Sequence, residues 1–221
     1  MNHITAVGRW IGAGMLLSFG LGIYSNFKLQ SDLFAGAGWL TNAAQHPYRI
    51  GAIALIGLAT GLISLAVASL LSAHFRQRYP VLTRFYFGLM VAALAVSLIE
   101  CSTLVAFRHL SESHAAAGAP GEAFLPAKAV LSGLRNSVHF LDVLIGGLGV
   151  LVLFVFLFKA QLVPRLLAGF GIAAALVQMY TVARPLFGFP VLYPLLMPLA
   201  LAYLSLLCWL LVRGFPPQAQ H

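Results

Sequence analysis

The chain has 221 residues, of which 61% are hydrophobic and only 8% are charged, and its mean hydropathy is +0.93. Soluble globular domains are about 25% charged, so this composition excludes a soluble enzyme, a disordered chain and a secreted disulfide scaffold, and it indicates an integral membrane protein. The net charge of +8 comes from 13 Lys and Arg against 5 Asp and Glu, and the basic residues lie mostly in short breaks between apolar runs. Anionic lipid headgroups favour that pattern, so we expect no nucleic-acid partner.

Six apolar runs follow one another along the chain, and each reaches the ~20 residues that a membrane-spanning helix requires. In chain order they cover residues about 6–27, 49–73, 84–107, 136–159, 164–184 and 191–213. The first run is longer than the apolar part of a usual signal peptide, so we predict that it is retained as a helix. The sequence predicts an all-α polytopic membrane helix bundle of about six transmembrane helices, with residues 1–221 forming a single integral membrane domain.

The charges of the loops predict the orientation of this bundle. With six spans both termini lie on one side, and the two short loops on that side are basic: Arg76, Arg78, Arg84, Lys159 and Arg165. The three acidic loop residues lie on the opposite side: Asp32, Glu112 and Glu122. Because short cytoplasmic loops carry an excess of basic residues, we expect both termini to be cytoplasmic and the protein to be a multi-pass protein of the bacterial inner membrane.

Two external loops are predicted to be longer than the others, and they cover residues 28–48 and 108–135. Neither is long enough to form a domain of its own. The second contains an Ala/Gly/Pro-rich stretch at residues 115–121, which predicts a flexible middle.

The fourth predicted span carries a stripe of polar residues and glycines. Their spacing of 3, 4, 3, 4 and 3 keeps them on one helical face: Ser132, Arg135, His139, Asp142, Gly146 and Gly149. The polar residues lie toward the external end and the glycines lie deeper, so we expect an external polar cavity above a close helix–helix contact. His139 and Asp142 are a helical turn apart, so Asp142 is expected to orient the imidazole.

Four residues of other spans are predicted to join this stripe in the external half of the bundle: Arg49, Glu100, Gln178 and Arg184. By helical rise, Glu100, Asp142 and Gln178 lie about 9–10 Å from the predicted external ends of their helices. A carboxylate inside a membrane is costly, at least ~2.5 kcal/mol on insertion scales. Glu100 and Asp142 therefore predict either a ligand or proton site or an interhelical ion pair, such as Glu100 with Arg135 or Arg49.

Metal and thiol chemistry receive less support from the sequence. Glu100, His139 and Asp142 are ligand types that a divalent transition metal accepts, but the neighbouring arginines oppose a cation. We therefore predict no metal site and no cofactor. Cys101 and Cys208 lie in apolar runs without a CxxC motif, and we interpret them as buried free thiols.

Glycines and prolines predict how some helices meet. Two pairs have the small-xxx-small spacing that is typical of helix packing: Gly8 with Gly12, and Gly57 with Gly61. Three prolines recur every four residues at the start of the last span: Pro190, Pro194 and Pro198. Because each removes a backbone donor, the last span is predicted to begin irregularly.

Three stretches resemble the bacterial membrane proteins known as the domain of unknown function 4386 family. They are Asp32 with Asn42-Ala43-Ala44 and Arg49-Ile50-Gly51, then Gly146-Gly147-Leu148-Gly149, and then Leu162-Val163-Pro164-Arg165-Leu166-Leu167. The chain departs from the family pattern at Ala168, where glycine is usual, and at Ser97, where a basic residue is expected. The resemblance implies a multi-pass bacterial inner-membrane protein and implies no activity.

The polar cluster leads to the functional hypothesis. Arg49, Arg135 and Arg184 against Glu100 and Asp142 leave one positive charge, which favours an anionic or zwitterionic small ligand or a lipid headgroup in an outward-facing pocket. Since histidine changes charge near neutral pH, His139 is expected to make occupancy depend on pH. Two alternatives remain open: an intramembrane enzyme that uses Glu100, His139 and Asp142 in acid–base or metal chemistry, and a scaffold without a ligand. Membrane lipid is an expected partner, and a homo-oligomer remains open.

Overall fold

The computed structural model describes residues 3–117 and 121–217. Within these segments seven helices follow in chain order: α1 (His3–Phe34), α2 (Trp39–Gln45), α3 (Pro47–Phe75), α4 (Pro80–Ala117), α5 (Leu125–Lys159), α6 (Arg165–Ala183) and α7 (Met197–Arg213). Three 3₁₀ turns adjoin them: Gly121–Phe124, Arg184–Phe187 and Tyr193–Leu196. These two segments contain no strand, so the all-α prediction is confirmed.

Six of the helical segments are long and apolar enough to cross a membrane, as the sequence predicted. They are His3–Phe34, Pro47–Phe75, Pro80–Ala117, Glu122–Lys159, Arg165–Phe187 and Tyr193–Arg213. Each packs against the next in the chain, and α1 also packs against α3 and α7. The six long helices therefore form a closed ring. We call the end where α1 begins and α7 finishes the termini end, and the opposite end the distal end.

The two long loops predicted on the distal side are mostly helical, so their predicted structure was wrong. Residues 28–48 contain the last turns of α1 and all of α2, and residues 108–135 contain the end of α4 and the first third of α5. The apolar runs stop in these places but the helices continue. Ion pairs four residues apart stabilise such solvated turns, namely Lys28 with Asp32 at 3.3 Å and Arg108 with Glu112 at 3.3 Å. Of the stretch predicted to be flexible, residues 115–117 belong to α4 and residues 118–120 lie outside the described residues.

Two separate apolar cores lie at the two ends of the ring. The larger core, at the termini end, joins α1, α3, α5 and α7 through fully buried side chains such as Leu71, Phe154 and Phe215. The smaller core, at the distal end, joins α1, α2, α3 and α4. There the rings of Trp39 and Phe107 stack with their centroids 3.9 Å apart. A polar region lies between the two cores.

Glycines allow the closest helix contacts, as the small-xxx-small spacing predicted. A β-carbon added to Gly8 or Gly12 would collide with the chain around Phe215 and Leu210 at the end of α7. One added to Gly57 or Gly61 would collide with side chains of α4. Both pairs therefore occur where neighbouring helices touch, which confirms the packing prediction.

The last span begins irregularly, as its prolines predicted. Between the turn Arg184–Phe187 and α7, residues 189–192 have no regular structure, and Tyr193–Leu196 is a 3₁₀ turn. The hydroxyl of Thr181 accepts a hydrogen bond from the Leu192 amide at 2.8 Å. That bond ties the irregular segment back to α6 and satisfies a donor that regular structure would otherwise pair.

Candidate functional site

A central cavity of about 170 Å³ separates the two cores on the distal side. Residues of α1, α3, α4 and α5 line it, and most of the side chains that face it are polar: Ser25, Asn26, Gln30, Thr60, Ser97, Glu100, Cys101, His139 and Asp142. A polar cavity among apolar spans is the kind of place where intramembrane ligand or ion sites occur. The expected polar cavity beside the fourth span is therefore present.

Glu100 of α4 is the centre of the charged cluster, and only 8% of the residue is exposed. Its Oε1 atom accepts a charged contact from Arg135 Nη2 at 3.1 Å and a hydrogen bond from His139 Nδ1 at 3.0 Å. Both partners lie on α5, so the cluster joins two neighbouring spans. Of the two pairings that the sequence suggested for Glu100, the one with Arg135 occurs. The basic partner of Glu100, Arg135, lies on α5. Position 97, one turn before Glu100 on α4, holds serine where the family pattern has a basic residue.

Arg135 extends the cluster to α1. Its Nη2 atom donates to Gln30 Oε1 at 2.6 Å, and its guanidinium carbon lies 5.3 Å from the centroid of the Phe34 ring. The Nε atom of Arg135 is buried and has no hydrogen-bond partner among the residues that the structure describes. One guanidinium therefore links α1, α4 and α5, and it retains a buried donor that a ligand acceptor would satisfy.

Asp142 does not orient His139, so that expectation was wrong. The imidazole is held by Glu100 on the neighbouring helix instead. Within residues 3–117 and 121–217, no basic side chain forms an ion pair with Asp142. A turn of helix separates residues 139 and 142 along the axis, whereas Glu100 approaches the ring from the side. Asp142 therefore faces the cavity without an ion-pair partner in the part of the chain that the structure describes.

The depth of these groups follows from the helix lengths. α4 has 38 residues and α5 has 35, so both exceed the ~30 Å hydrocarbon core at ~1.5 Å per residue. Because both helices run past their predicted distal ends, depth is better counted from the termini end. Glu100 then lies ~30 Å along α4 from Pro80, and Asp142 ~26 Å along α5 from Lys159. Counted from the termini end, the cluster therefore lies about one hydrocarbon thickness (~30 Å), or slightly less, along both helices.

Three residues that were predicted for the cluster lie elsewhere. Arg49 forms an ion pair with Asp32 at 3.2 Å. Arg184 donates from Nε to the Pro190 carbonyl at 3.0 Å and lies over the Phe189 ring, so it stabilises the turn after α6. Gln178 faces Gly147 on the other side of α5, where its buried Oε1 atom has no hydrogen-bond partner. The expected set of three arginines is therefore not assembled.

The remaining members of the α5 stripe have separate roles. Ser132 accepts a hydrogen bond from Trp39 Nε1 at 3.1 Å, which fastens α2 to α5. Gly149 touches Met90 of α4, as expected for a close helix contact, but Gly146 has no neighbour within 4 Å of an added β-carbon. Gly146 instead lines a cavity. The predicted tight contact thus involves only the deeper of the two glycines.

Two more cavities adjoin the central one. A lateral cavity of about 650 Å³ lies between α1, α5 and the segment before α7, and it shares Asn26, Gln30 and His139 with the central cavity. Arg135 lines the lateral cavity together with apolar residues such as Phe140 and Leu196. An inner cavity of about 270 Å³ extends from Asp142 toward the termini end. The central cavity therefore shares polar lining residues with both of its neighbours.

Sequence reasoning missed the contribution of α1. Asn26 and Gln30 follow Gly22 at four-residue spacing, but the predicted span ended at residue 27. That spacing was the signal that the helical face continues. Residues Ser25–Gln30 form a π-helical segment, a distortion that is frequent at functional sites. Thr60, Tyr86 and Tyr203 also line cavities without having been singled out.

The described residues offer little to a metal ion or to thiol chemistry. No three His, Cys, Asp or Glu side chains of the two described segments converge as a metal ligand set. Glu100 and His139 meet, but Arg135 shares the same carboxylate oxygen. Both cysteines are free, as predicted, but neither is fully buried: Cys101 lines the central cavity and Cys208 is exposed on α7.

One comparison with known proteins identifies the family of this chain. The model of the family described as "Domain of unknown function (DUF4386)" matches residues 10–214, which is most of the chain. The chain belongs to this family. No curated protein and no solved structure matches it significantly. The six long apolar helices of this DUF4386 member indicate a multi-pass membrane protein. Membership of the family assigns no biochemical activity to it.

Proposed function

We propose that this protein binds or transports a small zwitterionic molecule, or the zwitterionic headgroup of a lipid, in its distal polar pocket. The main support for the proposal is that two adjoining cavities share lining residues, and that an acidic side chain lines one cavity while a basic side chain lines the other. The central cavity has the carboxylate of Asp142, which forms no ion pair within the described segments, and the adjoining lateral cavity has the guanidinium of Arg135. A molecule that spans both would present an ammonium group to the first and a phosphate or carboxylate to the second.

The charge balance favours a zwitterion over a simple anion. Arg49 and Arg184 are engaged outside the pocket, so Arg135 is the guanidinium that remains near it. Glu100 already neutralises much of its charge at 3.1 Å. With a neutral His139, Glu100, Asp142 and Arg135 sum to one negative charge. An ammonium group on the ligand would compensate that charge, whereas a simple anion would increase it.

The shape of the lateral cavity supports a lipid headgroup as one source of this chemistry. Apolar residues of α1, α5 and the segment before α7 line most of it, while its polar groups are grouped around Arg135. Lipid-binding sites combine these two features, since the headgroup requires hydrogen bonds and the acyl chains require apolar walls. The position of the cluster, about one hydrocarbon thickness from the termini end, fits the same ligand.

The proposed setting is the bacterial inner membrane with both termini in the cytoplasm. The basic residues Arg76, Arg78 and Arg84 lie at or beside the turn that joins α3 and α4 at the termini end, which supports this orientation. Cysteines placed at Gln77 and at Tyr48, which is 91% exposed on the distal end, test it with a membrane-impermeant thiol reagent. From outside the cell we expect labelling at position 48 and none at 77; the reverse result would invert the topology.

Binding is tested with short-chain phosphatidylethanolamine, its water-soluble glycerophosphoethanolamine headgroup and short-chain phosphatidylglycerol. A cysteine at Asn26, which lines both cavities, reports occupancy through slower labelling in a chain without Cys101 and Cys208. We expect protection by phosphatidylethanolamine and none by phosphatidylglycerol. Protection by the soluble headgroup alone would identify a free solute as the ligand. Equal protection by both lipids would contradict the zwitterion proposal.

Variants of Arg135 test whether the ligand binds in this pocket. Arg135→Lys keeps a positive charge for Glu100 but loses the forked geometry, so we expect ~10-fold weaker binding of the zwitterionic probe, which corresponds to ~1.4 kcal/mol. Arg49→Gln is the matched control, because Arg49 forms its ion pair with Asp32 outside the pocket. Equal effects of the two variants would argue against a ligand contact by Arg135.

The same tests also distinguish the enzyme hypothesis and the scaffold hypothesis from the proposed function. The hydrogen bond between His139 and Glu100 is an imidazole–carboxylate pair of the kind that orients a general base, which is the observation that favours an enzyme. Chemical conversion of a bound probe would support it. A scaffold would bind none of the probes, and Arg135→Lys would then change only stability.

A further inference from the structure

Asp142 lies where two cavities meet. It lines both the central cavity and the inner cavity, together with Thr60 and Ser97. The carboxylate of Glu100 forms an ion pair and a hydrogen bond, whereas no ion pair of Asp142 occurs in the described residues. Two carboxyl groups on facing helices therefore have opposite environments.

The groups around Asp142 come from five helices. The titratable or charged side chains that share its cavities are Glu100, Cys101 and Tyr86 of α4, His139 of α5 and Tyr203 of α7. Arg135 reaches the same cluster through Glu100. The linings from α1 and α3 contribute uncharged groups only, namely Ser25, Asn26, Gln30, Thr60 and Ser64. On the opposite face of α5, α6 presents the neutral amide of Gln178.

This arrangement leaves Asp142 without an ion-pair partner among residues 3–117 and 121–217. Arg135 and Glu100 cancel each other, and His139 donates to Glu100 rather than to Asp142. A carboxylate between membrane-spanning helices is costly unless something compensates its charge. Two things remove the charge: a bound proton, or a cation from the ligand. They compete, because each neutralises the same single negative charge and a protonated carboxyl group no longer attracts a cation.

The inner cavity extends from Asp142 toward the termini end, and hydroxyl groups interrupt a lining that is otherwise mostly apolar. Its lining includes the hydroxyl groups of Ser97, Thr60 and Ser64, and further on those of Tyr86 and Tyr203. Tyr86 follows Pro80 by six residues, ~9 Å along α4 from the termini end. A buried water needs only ~10–15 Å³ of such space and a few polar partners, so about 270 Å³ accommodates a short chain of them.

We propose that Asp142 is a proton-binding carboxyl group that exchanges its proton for the cationic group of the ligand, with the inner cavity as the proton route to the termini end. The inference rests on the proposed zwitterion site, because proton and ligand share Asp142. When the ligand enters from the distal side, the carboxyl O–H bond breaks and its proton passes to water in the inner cavity. The carboxylate that remains pairs with the ligand's ammonium group, so ligand entry and proton movement are coupled.

The proton site is tested first, without any ligand, by infrared spectroscopy of the full chain in phosphatidylglycerol nanodiscs as pH is varied. In difference spectra taken above about pH 5, where exposed carboxyl groups are ionised and the lipid ester band cancels, we expect the carbonyl band of a protonated carboxyl group, lost as pH rises. The band should be absent in Asp142→Asn, present in Glu100→Gln and shifted in Asp142→Glu, which also controls for folding. A wild type without such a band, or a band that persists in Asp142→Asn, would overturn the proposal.

The proton route is tested by water access to Ser64, which lines the inner cavity. In a chain whose two cysteines are replaced by serine, Ser64→Cys should react with an impermeant thiol reagent applied from the termini side. Ser102→Cys is the matched control, because Ser102 is exposed on the outer surface of α4 and should stay unlabelled in lipid. Loss of labelling at position 64 from the termini side would overturn the route.

The exchange itself is tested by adding short-chain phosphatidylethanolamine to weakly buffered protein with a pH-sensitive dye. We expect proton release on binding in the wild type and in Asp142→Glu, and its loss in Asp142→Asn. Binding without proton release would overturn the exchange while leaving the zwitterion site supported. Absence of binding would instead overturn the zwitterion site, and the infrared titration would then decide the proton site alone.

Discussion

At the termini end α1 and α7 approach so closely that Gly8 has no room for a β-carbon, whereas at the distal end a polar cavity separates α1 from α4 and α5. The first region is held by apolar packing between glycines, leucines and aromatic rings. The second has a smaller apolar core, and beside it an ion pair and hydrogen bonds around Glu100. Lipid tails are as apolar as the helices, so close packing or polar contacts must supply helix association. This bundle uses close packing at the termini end and adds polar contacts toward the distal end.

The largest effect is expected where packing is closest. Gly8→Leu places a side chain against the backbone at Phe215, which cannot move aside as a side chain does, so we expect destabilisation beyond the ~1–3 kcal/mol that is typical of overpacking, and loss of folded protein. Size-exclusion chromatography in detergent measures this. Gly20→Leu is the control. Gly20 lies on the same helix, and a β-carbon added there would have no neighbour within 4 Å among the described residues. Equal yields of the two variants would show that the contact at Gly8 is not essential.

Breaking the distal ion pair should have the next largest effect. Glu100→Leu leaves the guanidinium of Arg135, only 14% exposed, without its carboxylate partner. Removing one member of a buried pair costs about 3–5 kcal/mol, whereas replacing both by apolar residues is often neutral. The double variant Glu100→Leu/Arg135→Leu should therefore melt at a higher temperature than either single variant. Additive losses in this double-mutant cycle would contradict a direct pair.

The attachment of α2 should be sensitive to one hydroxyl group. Ser111 is fully buried on α4, where it donates to the Leu40 carbonyl at 2.7 Å and accepts from the Ala44 amide at 2.8 Å. Ser111→Ala leaves both backbone groups unsatisfied, so we expect a loss of ~1–3 kcal/mol. Ser113→Ala is the control, because that exposed hydroxyl bonds only within its own helix. Thermal unfolding of the two variants checks the difference.

The smallest effect on stability is expected at Asp142. Its carboxylate has no ion-pair partner among residues 3–117 and 121–217, so Asp142→Asn should change the free energy of unfolding by no more than ~0.5 kcal/mol. Glu100→Gln, with the same chemical change one helix away, should lower the melting temperature clearly. A large loss in Asp142→Asn would mean that its carboxylate has a structural role that the cavity geometry does not account for.

Apolarity and glycine spacing determined the membrane class, the six spans and the glycine contacts, because these depend on local composition and on the 3.6-residue helical period. Apolarity did not determine where the helices finish. α4 continues from residue 107 to Ala117 and α5 begins at Leu125, since a helix that leaves the hydrocarbon no longer needs apolar side chains. The same limit hid Gln30, which lies beyond the predicted end of the first span.

The candidate site could be predicted only in part for a related reason. The stripe on α5 and the acid on α4 followed from spacing and from the cost of charge in a membrane, so Glu100, Arg135, His139 and Asp142 were found. Their partners were not determined, because a sequence gives the depth of a charge but not the side of the helix on which its neighbour lies. Only the tertiary structure could pair Arg49 with Asp32, turn Arg184 to the Pro190 carbonyl and place Asp142 between two cavities.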